Sequence, residues 1–125
     1  MSYLTTDPLD LPALIGEVRR DSDGGLAAFL GVVRNENEGR RVGRIEYTAY
    51  APMVELEMGK IAAELARDFP ETRVAMIHRV GMLAVGEASV AIAAASPHRQ
   101  DAYAACREAI EKIKSRAPIW KKEME

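Results

Sequence analysis

The sequence predicts an α+β fold, a sandwich in which a mostly antiparallel sheet packs against helices. Three observations carry this reading. Short alternating or apolar runs recur along the chain, as strands require. One long segment, Pro52 to Phe69, switches to a helical period. The order in which they follow one another is helix, hairpin, helix, strands, helix.

Asp7-Pro8 is expected to open a first helix through Leu11, Leu14, Ile15 and Val18, ending in Arg19-Arg20-Asp21. Gly24-Gly25 then releases a strand from Leu26 to Val33. The polar loop from Arg34 to Arg41 holds Asn and Gly residues that tolerate turn conformations. Ile45 to Tyr50 alternates like a strand and is expected to pair back as a long-looped hairpin. In the next helix Val54, Met58, Ile61, Leu65 and Phe69 form one stripe. Glu57, Lys60, Glu64 and Arg67 form the opposite face, expected to be solvated and to carry no chemistry. Arg73 to Ile77, Gly81 to Val85 and Ala88 to Ala95 read as strands, with Gly86-Glu87 as a turn. Ser96-Pro97 offers the last helix a preferred N-cap and a proline at its first position. Pro118 stops that helix, because proline cannot continue it.

At 125 residues the chain is expected to form one domain, residues 1–125. Its 17 basic and 19 acidic residues give a net charge of −2, which offers no global reason to bind nucleic acid. The N-terminus lacks the basic start and apolar stretch of a signal peptide, and no apolar run approaches a membrane span. Cys106, the single cysteine, excludes an internal disulfide and fits a reducing compartment. The expectation is a cytoplasmic protein that meets neither nucleic acid nor membrane.

No phosphate-binding loop, dinucleotide fingerprint or metal-ligand spacing is present. Cys106 falls on the apolar side of the last helix with Ile110 and Ile113, which suits packing better than nucleophilic chemistry. The most telling segment is Lys114-Ser115-Arg116-Ala117-Pro118-Ile119-Trp120-Lys121-Lys122-Glu123. Lysines that fold back over a helix end suit acid/base or Schiff-base work; a solvated basic terminus beside a Trp anchor is the plain alternative. Ser96-Pro97-His98-Arg99 forms either a phosphate-sized anion site at a helix N-terminus or an ordinary cap. His78-Arg79 reads as packing or interface. Arg34, with Arg40, Arg41 and Arg44 near it, sits at a strand end where a rigid element can aim it.

Taken together, Phe29 to Arg40, His78-Arg79-Val80-Gly81 with Val85-Gly86-Glu87, Ser96 to Arg99, and Lys114 with Pro118 to Glu123 resemble one family in order and spacing. That family is the large, catalytic subunit of molybdopterin synthase. The resemblance implies an α/β hammerhead fold and a sulfurtransferase of molybdenum cofactor biosynthesis. Its substrate would be cyclic pyranopterin monophosphate and its product the dithiolene molybdopterin, with no resident cofactor or metal. The sulfur would arrive on a small ubiquitin-like carrier subunit ending in a Gly-Gly thiocarboxylate. The implied catalytic residues are Lys114 and Lys121, and the implied substrate contacts are Val32, Val33, Arg34, His98, Arg99, Lys122 and Glu123. The implied assembly is a homodimer with a carrier at each end, a heterotetramer. Similar proteins run on past the Lys-Lys-Glu motif with a Gly- and Trp-containing tail, whereas this sequence stops at Glu125.

Helix geometry adds an expectation of its own. Arg99 and Lys114 are fifteen positions apart, roughly 22 Å along a helix axis. One small pterin cannot touch both ends, so shared contact requires composite pockets in a two-fold dimer. Two other classes are compatible with the residues: a non-enzymatic paralogue that binds the carrier or a phosphorylated ligand, and a lyase forming a Schiff base on Lys114 or Lys121.

Overall fold

Strand β8 runs through the middle of the protein with helices on both faces, which explains its run of small apolar residues, Ala88–Ser96. In this computed structural model, which describes residues 2–125, alternate residues of β8 serve two cores. Ala91, Ala93 and Ala95 pack with Leu14 and Val18 of helix α1 (Leu11–Val18). Val90, Ile92 and Ala94 face helices α2 (Ala51–Asp68) and α3 (Arg99–Arg116). The sheet order is β1 (Leu4–Thr5), β6 (Arg73–Arg79), β8, β2 (Gly25–Val32), with only β1 and β6 parallel. A second, three-stranded antiparallel sheet has the order β7 (Gly81–Ala84), β5 (Arg44–Ala49), β9 (Ile119–Met124). The expected α+β class is the observed one.

Several elements differ from the sequence reading. Strand β5 does not pair back on β2: β2 pairs with β8, and β5 lies between β7 and β9. The intervening segment makes its own hairpin, β3 (Glu36–Asn37) against β4 (Arg40–Arg41). Its two turn residues, Glu38 and Gly39, have φ of 53° and 78°, which gives the tight turn of a two-residue hairpin. This turn, with a β-bulge at Gly31/Val32, redirects the chain away from β2.

Helix α1 opens at Asp10 instead of Asp7-Pro8, with the Asp10 carboxylate accepting from the Ala13 amide at 3.1 Å. Helix α3 opens two residues later than expected. His98 is its N-cap, while Ser96 ends β8 fully buried and accepts a hydrogen bond from the Thr72 hydroxyl at 3.0 Å. Gly24 and Gly25 press against this crossing: a Cβ on Gly25 would lie 2.5 Å from Arg99 Cα. The chain can pass there only without a side chain.

The stripe on α2 is buried as expected, with Val54, Met58, Ile61 and Leu65 at most 1% exposed. Its charged face divides. Lys60 and Arg67 are exposed, but Glu57 and Glu64 clamp the end of α3. Arg116 Nε reaches Glu57 and its Nη1 reaches Glu64, each at 2.7 Å, and Lys112 Nζ meets Glu64 at 2.7 Å. The Arg116 hydrogen bond, then that of Lys112, pulls the Glu64 carboxyl down to about 2 from its ordinary 4.5. A depressed acid stabilises the fold above its unfolded value and loses that contribution as pH falls toward the folded one. The stability difference between wild type and Glu64→Gln should therefore be largest near neutrality and shrink between pH 4.5 and 2. Urea unfolding across that range measures it; a difference independent of pH would contradict the clamp.

Candidate functional site

Strand alternation divides the C-terminal motif. On β9, Ile119, Lys121 and Glu123 share one face, while Trp120 and Lys122 share the other. The first three line a cleft of about 390 Å³ between the two larger sheets and the end of α3. Register sets Lys121 opposite Tyr47 and Glu123 opposite Ile45, both of which also line it. Pro118 ends α3, so β9 folds back and brings Lys121 to the same cleft as Lys114 of the last helical turn. Arg34 and Val32 arrive from the other side, aimed by β2 and its bulge.

The short arm β3–β4 closes the polar rim. Asn37 Nδ2 donates to both carboxylate oxygens of Glu123 at 3.0 Å, and Glu123 lies 4.0 Å from Lys121 Nζ. Three cationic side chains, Arg34, Lys114 and Lys121, thus meet two carboxylates, Glu36 and Glu123. The site is suited to an anionic reactant with room for proton transfer by amine and carboxylate groups. Among the described residues, no group of three or more His, Cys, Asp or Glu side chains gathers as a metal centre. Cys106 is buried on α3 outside the cleft, and burial pushes its thiol up.

The remaining residues singled out from the sequence lie elsewhere in the protomer. Val33 is 2% exposed and packs with Val42, Ile45 and Leu83. Its amide donates to the Glu87 carbonyl and its carbonyl accepts from Gly86. Lys122 is exposed on the outer face of β9, opposite Glu46. His98 and Arg99 are exposed at the far end of α3, beside Gly25 and away from the lysines. Sequence reasoning missed Asn37, Tyr47 and His78 as lining residues. For His78 a signal existed: it breaks the apolar face of β6, where Val74 and Met76 join the main core.

The family described as MoaE protein matches residues 4–116. The molybdopterin synthase catalytic subunit of Bacillus subtilis (strain 168) is 41% identical over 97% of this chain and 77% of its own length. That of Nostoc sp. (strain PCC 7120) is 41% identical over 96% of this chain and 73% of its own. The crystal structure of molybdopterin synthase from Staphylococcus aureus superposes with a TM-score of 0.94 at 36% identity, covering 98% of this chain and 90% of that one. None of the described helices is long and apolar enough to cross a membrane.

Proposed function

The chain belongs to the MoaE protein family of molybdopterin synthase catalytic subunits, and from that premise we propose that it transfers sulfur to cyclic pyranopterin monophosphate. The donor is the C-terminal thiocarboxylate of a small ubiquitin-like carrier ending in Gly-Gly, and the product is the dithiolene molybdopterin. One observation carries the reading: Arg34, Lys114, Lys121 and Glu123, distant in sequence, converge on one cleft. That cleft holds no cysteine, which suits chemistry whose sulfur comes from a partner.

In each round the thiocarboxylate sulfur forms a C–S bond to the pterin side chain, and the displaced oxygen takes a proton. Lys114 and Lys121 are the proton donors in reach. The resulting thioester is then hydrolysed: water adds across its S–C(O) bond, leaving the thiol on the pterin and a carboxylate on the carrier. Arg34 balances the negative charge that develops on the carbonyl oxygen. Glu123, held by Asn37, keeps Lys121 turned into the cleft. The reaction is placed in the cytoplasm, where Cys106 stays a buried thiol.

The substrate phosphate is bound by His98 and Arg99 at the start of α3. Since these sit at the opposite end of the helix from Lys114, they are supplied by the mate in a homodimer. Edge strand β2 supports a specific docking. It exposes Leu26, Phe29, Leu30 and Val32 and runs from Gly25, against Arg99, to Val32 in the cleft. A second copy laid antiparallel along β2 about a two-fold axis brings its Arg99 end to this protomer's cleft. Val33 and Lys122, the other implied contacts, lie outside the cleft of one protomer, Val33 packed with Ile45 and Leu83 and Lys122 on the outer face of β9. Carriers dock on each protomer, giving a heterotetramer.

Incubating the protein with cyclic pyranopterin monophosphate and thiocarboxylated carrier should yield a dithiolene product, detected as its alkylated derivative. A complex that forms without product would favour a binding-only role instead. Trapping of a carbonyl substrate by borohydride on Lys114 or Lys121 would point to the lyase.

A further inference from the structure

His78 is more than nine-tenths buried on β6, yet it lines the same cleft as the lysines. Its side chain lies on the sheet face shared with Val74 and Met76, below the end of α3 where Ile110, Ile113 and Ala117 form the cleft wall. Its ring meets Tyr47 edge-on, with centroids 5.2 Å apart and planes at 64°. Nδ1 is 2.7 Å from the Arg79 carbonyl oxygen. That oxygen only accepts, so Nδ1 carries the proton and Nε2 of the neutral ring is left with a free lone pair.

Nε2 has no hydrogen-bond partner among the described residues. Yet none of their buried side-chain nitrogens or oxygens is both sealed from solvent and unpartnered. Nε2 is therefore not sealed from solvent, and the cavity that His78 lines is the cleft. A histidine kept only for packing has no need of an open acceptor on an otherwise apolar face.

Resting on the sulfur-transfer reading, we propose that His78 Nε2 is a substrate-binding acceptor at the floor of the cleft, taking a hydrogen bond from an N–H or O–H of the pterin. The other functional groups of the cleft favour this assignment. Arg34, Lys114 and Lys121 only donate, Glu123 is already held by Asn37, and the second carboxylate, Glu36, belongs to the β3–β4 arm on the rim. A heterocycle whose N–H edge is seated against β6, away from that rim, needs an acceptor there, and His78 is the polar side chain that β6 gives to the cleft. Burial holds His78 below its ordinary 6.5, so the ring stays neutral and accepting at pH 7. The charged and titratable groups that share its cleft are Tyr47 from β5, Lys114 from α3, Lys121 and Glu123 from β9, Glu36 from β3, and Arg34 beyond β2. Its neighbour Arg79 is turned away, to Glu87 and the Thr6 carbonyl.

His78→Asn keeps a donor for the Arg79 carbonyl and removes Nε2; His78→Gln reaches to the Nε2 position. Loss of one buried hydrogen bond to substrate should weaken pterin binding about tenfold in His78→Asn, seen as a raised KM with kcat little changed. His78→Gln should recover part of that loss, and the thermal midpoint should be preserved in His78→Asn. Nitrogen NMR of the full-length wild-type protein reads the contact directly. Adding cyclic pyranopterin monophosphate should move an unprotonated Nε2 resonance while leaving the protonated Nδ1 nearly unchanged. A ring protonated on Nε2, or His78 nitrogens that stay still while the Arg34 and Lys114 signals move, would overturn the assignment. If the pterin moved none of these signals, the substrate reading and this inference would fall together.

Discussion

Replacing Lys121 or Lys114 by alanine is expected to lower sulfur transfer by about 100-fold or more, the usual contribution of a positioned proton donor. Folding should be unaffected. Both side chains are exposed, and among the described residues the one ion pair either makes is the 4.0 Å contact between Lys121 and Glu123. Exposed substitutions of that kind change stability by about 0.5 kcal/mol or less. Lys60→Ala is the matched control, since Lys60 is an exposed lysine on α2 outside the cleft. Single-turnover assays with thiocarboxylated carrier, run beside thermal melts, would separate chemistry from folding. Near-normal turnover in both Lys114→Ala and Lys121→Ala would remove the lysines from the mechanism.

The parts of the fold legible in the sequence were those governed by local periodicity. The α2 stripe of Val54, Met58, Ile61 and Leu65 is buried as its spacing requires, and the strand segments of β6 to β8 fall where alternation and glycine turns put them. Partner choice was not legible, because strand pairing is a non-local property. Nothing in Ile45 to Tyr50 says that it will pair with β7 and β9 in preference to β2. Two helix starts differ from those the sequence suggests, for different reasons. Packing of Gly25 against Arg99 moved the start of α3 past Ser96, and Asp10 took the cap expected of Asp7. The charge on α2 was visible but its use was not, since Arg116 lies 52 positions from Glu64.

The candidate site was legible to a similar degree. The Lys-Lys-Glu run and Arg34 stood out as residues, and the fold brings Lys114, Lys121, Glu123 and Arg34 together. What no linear reading shows is that β9 turns its second lysine, Lys122, outward. Nor does it show that Asn37 reaches across from the β3–β4 arm to hold Glu123.

The central claim is that one active site needs residues from two copies of the chain, and helix α3 sets the constraint. Arg99 begins that helix and Lys114 lies in its last turn, roughly 22 Å apart along the axis. Arg99→Ala and Lys114→Ala proteins, each nearly inactive alone, should complement one another when mixed. In a heterodimer one pocket combines the intact Arg99 of one protomer with the intact Lys114 of the other, while the second pocket lacks both. Random exchange makes about half the dimers mixed, each with one of two pockets intact, so about a quarter of wild-type sulfur transfer should return. Recovery near that level, with subunit exchange verified by mass-tagged protomers, is the predicted result. No recovery after verified exchange would contradict the two-copy site.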